Sequence, residues 1–338
     1  MKLSNTRSVI YLFVAMLISS VVIGSFCQIK FEPVPSVLPL VDSKKYPPVD
    51  VEMNLKQVAE HTWYVQGKAG IATDNAGFIS NAGVVITDAG VVIVDGLGSP
   101  SLAAKLLTKI RAITDKPILK VVVTHYHADH IYGLQVFKEL GAEIIAPDGV
   151  YEYIDSEGAA SRLQERRFSL DPWVNENTVI VTPDRIIDKS ESFTVGDIKF
   201  TLSVIGSAHS DGDLTILVEN DRVLFTGDLI FEGRVPFLGS NNTKHWLETL
   251  ERMETNKLAG LVPGHGPAAT EPNKAISLTR RYLAFMREKM AAAVEDLTEF
   301  DEAYSQIDWS AFEKLPAFEA ANRKNAFQVY LSLENEEN

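Results

Sequence analysis

The stretch Thr124-His125-Tyr126-His127-Ala128-Asp129-His130 (THYHADH) decides how the rest of the chain is read. It closes ILKVVVT, Ile118 to Thr124, an apolar run of the kind that forms a strand buried on both faces. It precedes Ile131 to Leu140, whose apolar spacing predicts a helix. Side chains that can hold a cation therefore cluster at the C-terminal end of a buried strand, where ligand sites concentrate in α/β sheets. In an extended loop His125 and His127 project to one side by the two-residue period, and Asp129 and His130 come round as the helix begins. That arrangement can feed two neighbouring metal ions.

Three further candidates each fall just past an apolar strand: His209 after FTLSVIG, Asp228 after VLFTG and His265 after GLVPG. Five imidazoles and two carboxylates suit two Zn²⁺ ions, with Fe or Mn as alternatives, and leave positions open for water. A carboxylate placed between such ions, as Asp228 could be, bridges them at a separation of ~3.5–4 Å. Unrelated histidines are the competing explanation, but five of the chain's seven histidines fall on these strand-end loops.

Working outward, Thr62–Gln66, Ala72–Ser80, Val84–Thr87 and Val91–Asp95 are strand-like, with Asp88-Ala89-Gly90 as a hairpin turn. A helix is predicted from Ser101 to Ile113, followed after the motif by a strand at Glu143–Ala146. The segment 150–185 reads as an insertion that could overhang the site. GVVITDAGVVIVDG from Gly83 and DLTILVENDRVLFTGD from Asp213 share one pattern, a hairpin with an aspartate near the end of its second strand, so the core looks pseudo-duplicated. Thr243–Met253 and Asn273–Leu297 read as helices, and the acidic tail is helical.

Composition sets limits on all of this. A chain of 338 residues with 46% hydrophobic residues can bury a large core, and its formal charge of −13, with no basic run, excludes a nucleic-acid partner. Lys2 and Arg7 precede an apolar stretch, Val9 to Ile23, ending at Gly24 and Ser25, which is a signal-peptide pattern. That stretch of about 15 residues is short of the ~20 that span a bilayer, so the expectation is a periplasmic or secreted protein without stable membrane insertion. The sole cysteine, Cys27, adjoins the cleavage region, but a lipidation site calls for a small residue where Phe26 stands. The organisation read from the sequence is thus a signal peptide, 1–27, an extended proline-dotted lead-in, 28–54, a main domain, 55–290, and a helical C-terminal extension, 291–338.

THYHADH together with GSAHSDGDL, LFTGD and PGHG closely resembles the metallo-β-lactamase superfamily, over Leu55 to Arg281. The resemblance implies an α/β fold, an αββα sandwich with two metals in a groove along one edge. It also implies that His125, His127 and His209 hold the first metal, Asp129, His130 and His265 the second, and that Asp228 bridges them. The activity implied is hydrolysis by a metal-bridging hydroxide, with Asp129 and Asp228 as the catalytic carboxylates, acting on an ester, thioester or amide of a small molecule. Asp228 favours glyoxalase II-like thioesterases and exported metallohydrolases associated with quinoprotein or sulfur-oxidation systems over the β-lactamases that lack this aspartate. A β-lactamase and a mononuclear-iron sulfur dioxygenase remain alternatives.

Other residues carry weaker signals. Asp95, ending the first hairpin, is either an acceptor for a ligand imidazole or a turn residue. His61 and His245 read as structural. Arg234, in GRVP, either meets an anionic substrate group or is structural, and Tyr151, Tyr153 and Trp173 either line the groove or pack in the core.

Overall fold

The computed structural model describes residues 44–238, 242–253 and 255–337. The expected leader, 1–27, and the lead-in as far as residue 43 lie outside the described residues. Two sheets stack face to face. The first runs in the order β1 (Lys56–Gln57), β2 (Thr62–Val65), β3 (Ala82–Ile86), β4 (Val91–Val94), β5 (Ile118–Val122), β6 (Glu143–Pro147) and β7 (Arg185–Ile187). The second has β8 (Glu191–Val195), β9 (Ile198–Gly206), β10 (Asp213–Val218), β11 (Val223–Phe225) and β12 (Gly260–Val262), in the order β12-β11-β10-β9-β8. The pseudo-duplication is visible in the pairing. β3–β4 and β10–β11 are antiparallel hairpins, and each passes to a parallel neighbour, β5 or β12.

Side-chain alternation explains the layers. Along β4, Val92 and Val94 face the second sheet while Val91 and Ile93 face outward, and both sets are buried. Along β9, Ile198, Phe200 and Leu202 face the first sheet, with Leu214, Ile216 and Val218 of β10 beside them. Outside the first sheet lie α1 (Pro100–Arg111), α2 (Ala128–Ile131) and α3 (Leu134–Glu139), with Leu102, Leu106 and Phe137 in one apolar layer. Outside the second lie α6 (Thr243–Arg252), α7 (Pro272–Glu295), α8 (Phe300–Gln306) and α9 (Phe318–Glu337), following α4 (Val150–Ile154) and α5 (Glu157–Ser169) in the chain. The architecture is therefore an αββα sandwich with a helical C-terminal region.

Several expectations change in detail. Ala72–Ser80 is not a strand: Ala72–Asn75 form a 3₁₀ turn, and Ala76 and Gly77 take left-handed backbone angles of 52° and 82°. The run Thr-Asp-Asn-Ala-Gly carries turn chemistry that overrides its apolar flanks. The helix expected over Ile131–Leu140 is split at Gly133, whose amide donates to the Leu97 carbonyl (3.1 Å) instead of continuing the helical ladder, at a point so close to the Gly96 carbonyl and Ala103 that no Cβ fits. Leu119 and Lys120 of β5 are half-buried, and Lys120 pairs with Glu143, so this strand is less enclosed than its apolar run implies. At the ends, Tyr46, Val49 and Met53 already belong to the core, and residue 290 lies inside the unbroken α7.

The first sheet is pinned to the second by one buried carboxylate. Asp221, in the β10–β11 turn, accepts from the His61 amide (3.0 Å), the Thr62 hydroxyl (2.6 Å) and the His61 ring (3.0 Å). That hydrogen bond raises the His61 pKa above its ordinary value. A folded-state pKa above the ~6.5 of an unfolded histidine means the ion pair stabilises fully below about pH 6.5 and fades as pH rises through the raised value. Asp221→Asn should cost about 1–3 kcal/mol. The melting-temperature gap to wild type should be wider at pH 6 than at pH 8.5, and an equal gap would rule out the linkage.

Candidate metal centre

The structure brings all the sequence-predicted ligands to one pocket at the edge of the sandwich. His127 has extended backbone angles and caps α2, so His125 and His127 alternate as on a strand while Asp129 and His130 occupy the first helical turn. His209 sits in the 206–213 loop, which Asp213 folds by accepting from the amides of Ala208 (3.2 Å) and Ser210 (2.9 Å) and from the Ser210 hydroxyl (2.9 Å). Burial pushes the Asp213 carboxyl up to about 7. A register shift at Asp213/Leu214 turns this loop off the sheet, a common device beside functional sites. Asp228 lies in the 3₁₀ turn Gly227–Leu229, and Gly264 passes so close to its carboxylate that any side chain there would collide.

Distances define two three-ligand sets and a third group that joins them. The ligand atoms of His125, His127 and His209 lie within 4.8 Å of one another, as do those of Asp129, His130 and His265, and those of His125, His130 and Asp228. Asp228 is central: its oxygens are 3.1 Å from His265 Nε2, 3.2 Å from His130 Nε2, 3.3 Å from His209 Nε2 and 3.9 Å from His125 Nε2. His127 Nδ1 faces His209 Nε2 at 3.0 Å, and Asp129 is 3.3 Å from His265 Nε2. Donor atoms bound to one tetrahedral ion at 2.0–2.1 Å lie about 3.3 Å apart, so this spacing fits divalent cations. His125 Nε2 is buried without a hydrogen-bond partner among the described residues, and His130 Nε2 and Asp228 Oδ1 face each other at 3.2 Å. A buried polar atom without a partner is costly unless something binds it.

The electrostatics separates the two sets. Burial holds the His125 ring well below its ordinary value, lowers His127, and takes His209 to about 3, so these rings stay neutral with lone pairs free. Burial also opposes charge on His130 and His265, but nearby Asp228, with Asp129, outweighs it and raises both. The same imidazoles hold Asp228 and Asp129 below the carboxylate range despite burial. The second set thus already balances positive against negative charge, and a cation there would take the place of protons.

Groups behind the ligands fix their orientation. His130 Nδ1 is 2.9 Å from Asp95, which also accepts from the Thr124 amide (2.7 Å) and hydroxyl (2.9 Å). Asp95 therefore orients a ligand ring rather than merely ending a hairpin. The Thr124 hydroxyl in turn lies 3.0 Å from His125 Nδ1, and His265 Nδ1 bonds the Ile79 carbonyl at 2.7 Å. Ser80 Oγ donates to the Asp129 carbonyl at 2.5 Å. Sequence reading missed Thr124, Ile79, Ser80 and Asp213. A hydroxyl beside the motif was a usable signal for Thr124, whereas a backbone carbonyl such as that of Ile79 leaves no trace in the sequence. Asp95→Ala should weaken metal binding by roughly 10–100-fold with the fold retained. Competitive titration against a chelating dye checks this, and wild-type affinity would remove the role.

The remaining candidates divide. His61 is structural, as described above. His245 Nδ1 bonds the Ser207 carbonyl at 2.8 Å and steadies the His209 loop. Trp246, which sequence reading also missed, packs edge-on against His209 at 5.3 Å and donates to the Leu229 carbonyl at 3.0 Å. Of the insertion's aromatics, Tyr153 on α4 comes to 6.2 Å from the His127 ring, Tyr151 is exposed, and Trp173 bonds the Pro48 carbonyl.

Comparison with known proteins agrees with this geometry. The profile of the metallo-beta-lactamase superfamily matches residues 75–265, more than half of the chain, and the protein belongs to that superfamily. The chain is 28% identical over 185 residues to a Gallus gallus protein named acyl-coenzyme A thioesterase MBLAC2, covering 50% of this chain and 66% of that one. It is 24% identical over 232 residues to a linear primary-alkylsulfatase of Pseudomonas sp., covering 58% of this chain and 44% of that protein. These matches span less than two thirds of either relative. Among solved structures, the inverting sec-alkylsulfatase Pisa1 of Pseudomonas sp. superimposes with a TM-score of 0.64 at 18% identity, over 82% of this chain and 50% of that one, which shows the shared fold.

Proposed function

We propose that this protein is an exported hydrolase that holds two divalent cations, zinc by the chemistry of its donors, and cleaves an ester- or thioester-type bond in a small molecule. The observation that carries the proposal is the convergence of His125, His127, Asp129, His130, His209, Asp228 and His265 with buried donor atoms left unpartnered. Two cations held there supply Lewis acidity and bring the pKa of water towards neutrality. His125, His127 and His209 would hold one, Asp129, His130 and His265 the other, and Asp228 stands between the sets. Asp129, with its side chain 21% exposed, orients the incoming nucleophile. Asp95 and the Ile79 carbonyl keep His130 and His265 in one orientation.

The likeness to a thioesterase and an alkylsulfatase supports ester chemistry, and the basic and apolar start of the chain supports export. Purified protein of measured metal content, assayed against thioesters, sulfate esters, a chromogenic cephalosporin and a persulfide, tests the reading. Two zinc ions with ester turnover is the expected result. A single iron with persulfide oxidation would replace the proposal with a dioxygenase, and cephalosporin turnover alone would replace it with a β-lactamase.

A further inference from the structure

We infer that Asn81, in the segment Ile79-Ser80-Asn81 before β3, is a positioning residue for the second cation: it holds the loop that carries His265, and the first cation does not depend on it. This role deepens the two-cation reading and rests on it for what the ligands bind. Asn81 is 3% exposed, and its side chain uses both its donors and its acceptor. The side-chain amide donates to the carbonyls of Pro263 (2.7 Å) and Gly266 (2.9 Å), and Oδ1 accepts from the Gly67 N–H (3.1 Å). Its backbone N–H donates to the Gly264 carbonyl at 2.8 Å. One residue therefore grips the backbone on both sides of His265.

The two residues before it act on the same ligand set. The Ile79 carbonyl accepts from His265 Nδ1, and the Ser80 hydroxyl donates to the Asp129 carbonyl. Asp129 and His265 come from different halves of the chain, so three consecutive residues hold two ligands that meet at 3.3 Å. Glycines admit this grip. A Cβ on Gly67 would lie 2.3 Å from the Ile79 carbonyl carbon, and one on Gly266, whose φ is 98°, would lie 2.1 Å from the Glu232 carbonyl oxygen. Gly264 N–H donates to the Gly227 carbonyl (2.7 Å), which pins the loop between Asn81 and the turn that carries Asp228.

Other groups hold the first set. The Thr124 hydroxyl lies 3.0 Å from His125 Nδ1, and Asp213 folds the loop of His209. No hydrogen bond among the described residues joins 79–81 to His125, His127 or His209. Loss of the Asn81 amide thus strips the donors from two carbonyls beside one ligand of the second set and leaves the first set as it is. Removing a group that orients a ligand imidazole costs about 10–100-fold in metal affinity.

Zinc titration of the chelator-treated full chain against a competing dye tests the assignment on wild type, His265→Gln, Asn81→Ala, Asn81→Asp and Ser80→Ala. Wild type should bind in two steps, of which His265→Gln abolishes one. Asn81→Ala should weaken that same step about 10–100-fold and leave the other within about threefold. Asn81→Asp keeps the size and the acceptor for Gly67 but turns an oxygen on the two carbonyls, so it should weaken the step at least as far. Ser80→Ala should move it in the same direction. Equal weakening of both steps, no weakening, or rescue by Asn81→Asp would overturn the assignment. If Asn81→Ala does not fold, Asn81→Asp carries the same readings.

Proton spectra of the zinc-free protein need neither metal nor turnover. The His265 Nδ1 proton on the buried Ile79 carbonyl should give a downfield imidazole resonance, identified by its absence in His265→Gln. That resonance should vanish in Asn81→Ala and in Asn81→Asp, while the His130 Nδ1 proton on Asp95 keeps its own. Its loss supports the positioning role even if wild type binds one zinc or none, a result that would count against the two-cation reading alone. A His265 resonance unchanged in both variants would overturn the role.

Discussion

Asp228→Ala is expected to lose both cations at stoichiometric metal concentrations and to cut turnover by about 10³-fold or more. Its carboxylate lies within 3.1–3.9 Å of four imidazoles drawn from both ligand sets. Each of the other ligands serves one set, so their loss leaves the second set standing. Removing Asp228 also strips the negative charge that opposes burial at His130 and His265 and leaves these rings facing a void. A bridging carboxylate contributes several kcal/mol to a two-metal site, and each ~1.4 kcal/mol is tenfold in rate, which sets the magnitude. Elemental analysis beside ester turnover measures both effects, with Asp228→Asn as the control that keeps the volume. Two retained ions and wild-type turnover in Asp228→Ala would take away the bridging role.

Chelation should lower the melting temperature by at least about 5 °C, the second large effect. Two ions, each at a hundredfold over its Kd, together stabilise the folded state by about 5.4 kcal/mol, and at ~2.1 cal/mol/K of unfolding entropy per residue a chain of this size shifts by roughly 1.4 °C per kcal/mol. Without the cations His125 Nε2 is buried with no hydrogen-bond partner among the described residues, so the first set has nothing in the protein to replace the lost bonds. Trp246, edge-on to His209 at 5.3 Å, should report the same event by fluorescence, and the signal should vanish in Trp246→Phe. A melting temperature unmoved by chelator and restored zinc would contradict a built metal site.

The fold was legible where apolar periodicity and polar ligands coincided. β4 and β5 announce themselves as valine-rich runs, and each ends in a polar group that the fold uses, Asp95 or the THYHADH loop. The repeat of hairpin plus aspartate showed the pseudo-duplicated core, and the same antiparallel hairpin forms in each half. Ala72–Ser80 was misread because its apolar ends masked turn residues, and the α2–α3 break was hidden because Gly133 is needed for contact with a distant loop. The site was legible as a set of side chains, whereas its supports were not. The Ile79 carbonyl and the Trp246 face act through tertiary contacts that no local pattern carries.

Residues near the ends show the same limit. The lead-in was read as lying outside the core, yet Tyr46, Val49 and Met53 are buried in it, since an extended segment broken by Pro47 and Pro48 forms no regular element whose period could signal burial. The C-terminal extension was recognisable as helical, but its role in holding the segment 235–238 follows from long-range contacts through Asn325 and Pro316.

Crystals of the protein equilibrated with zinc, with anomalous scattering collected on both sides of the metal's absorption edge, test the central claim most directly. The account predicts two peaks about 3.5–4 Å apart. One lies within bonding distance of His125, His127 and His209, the other of Asp129, His130 and His265, with Asp228 reaching both. A map with no peak among these side chains, or with zinc bound elsewhere on the surface, would contradict it.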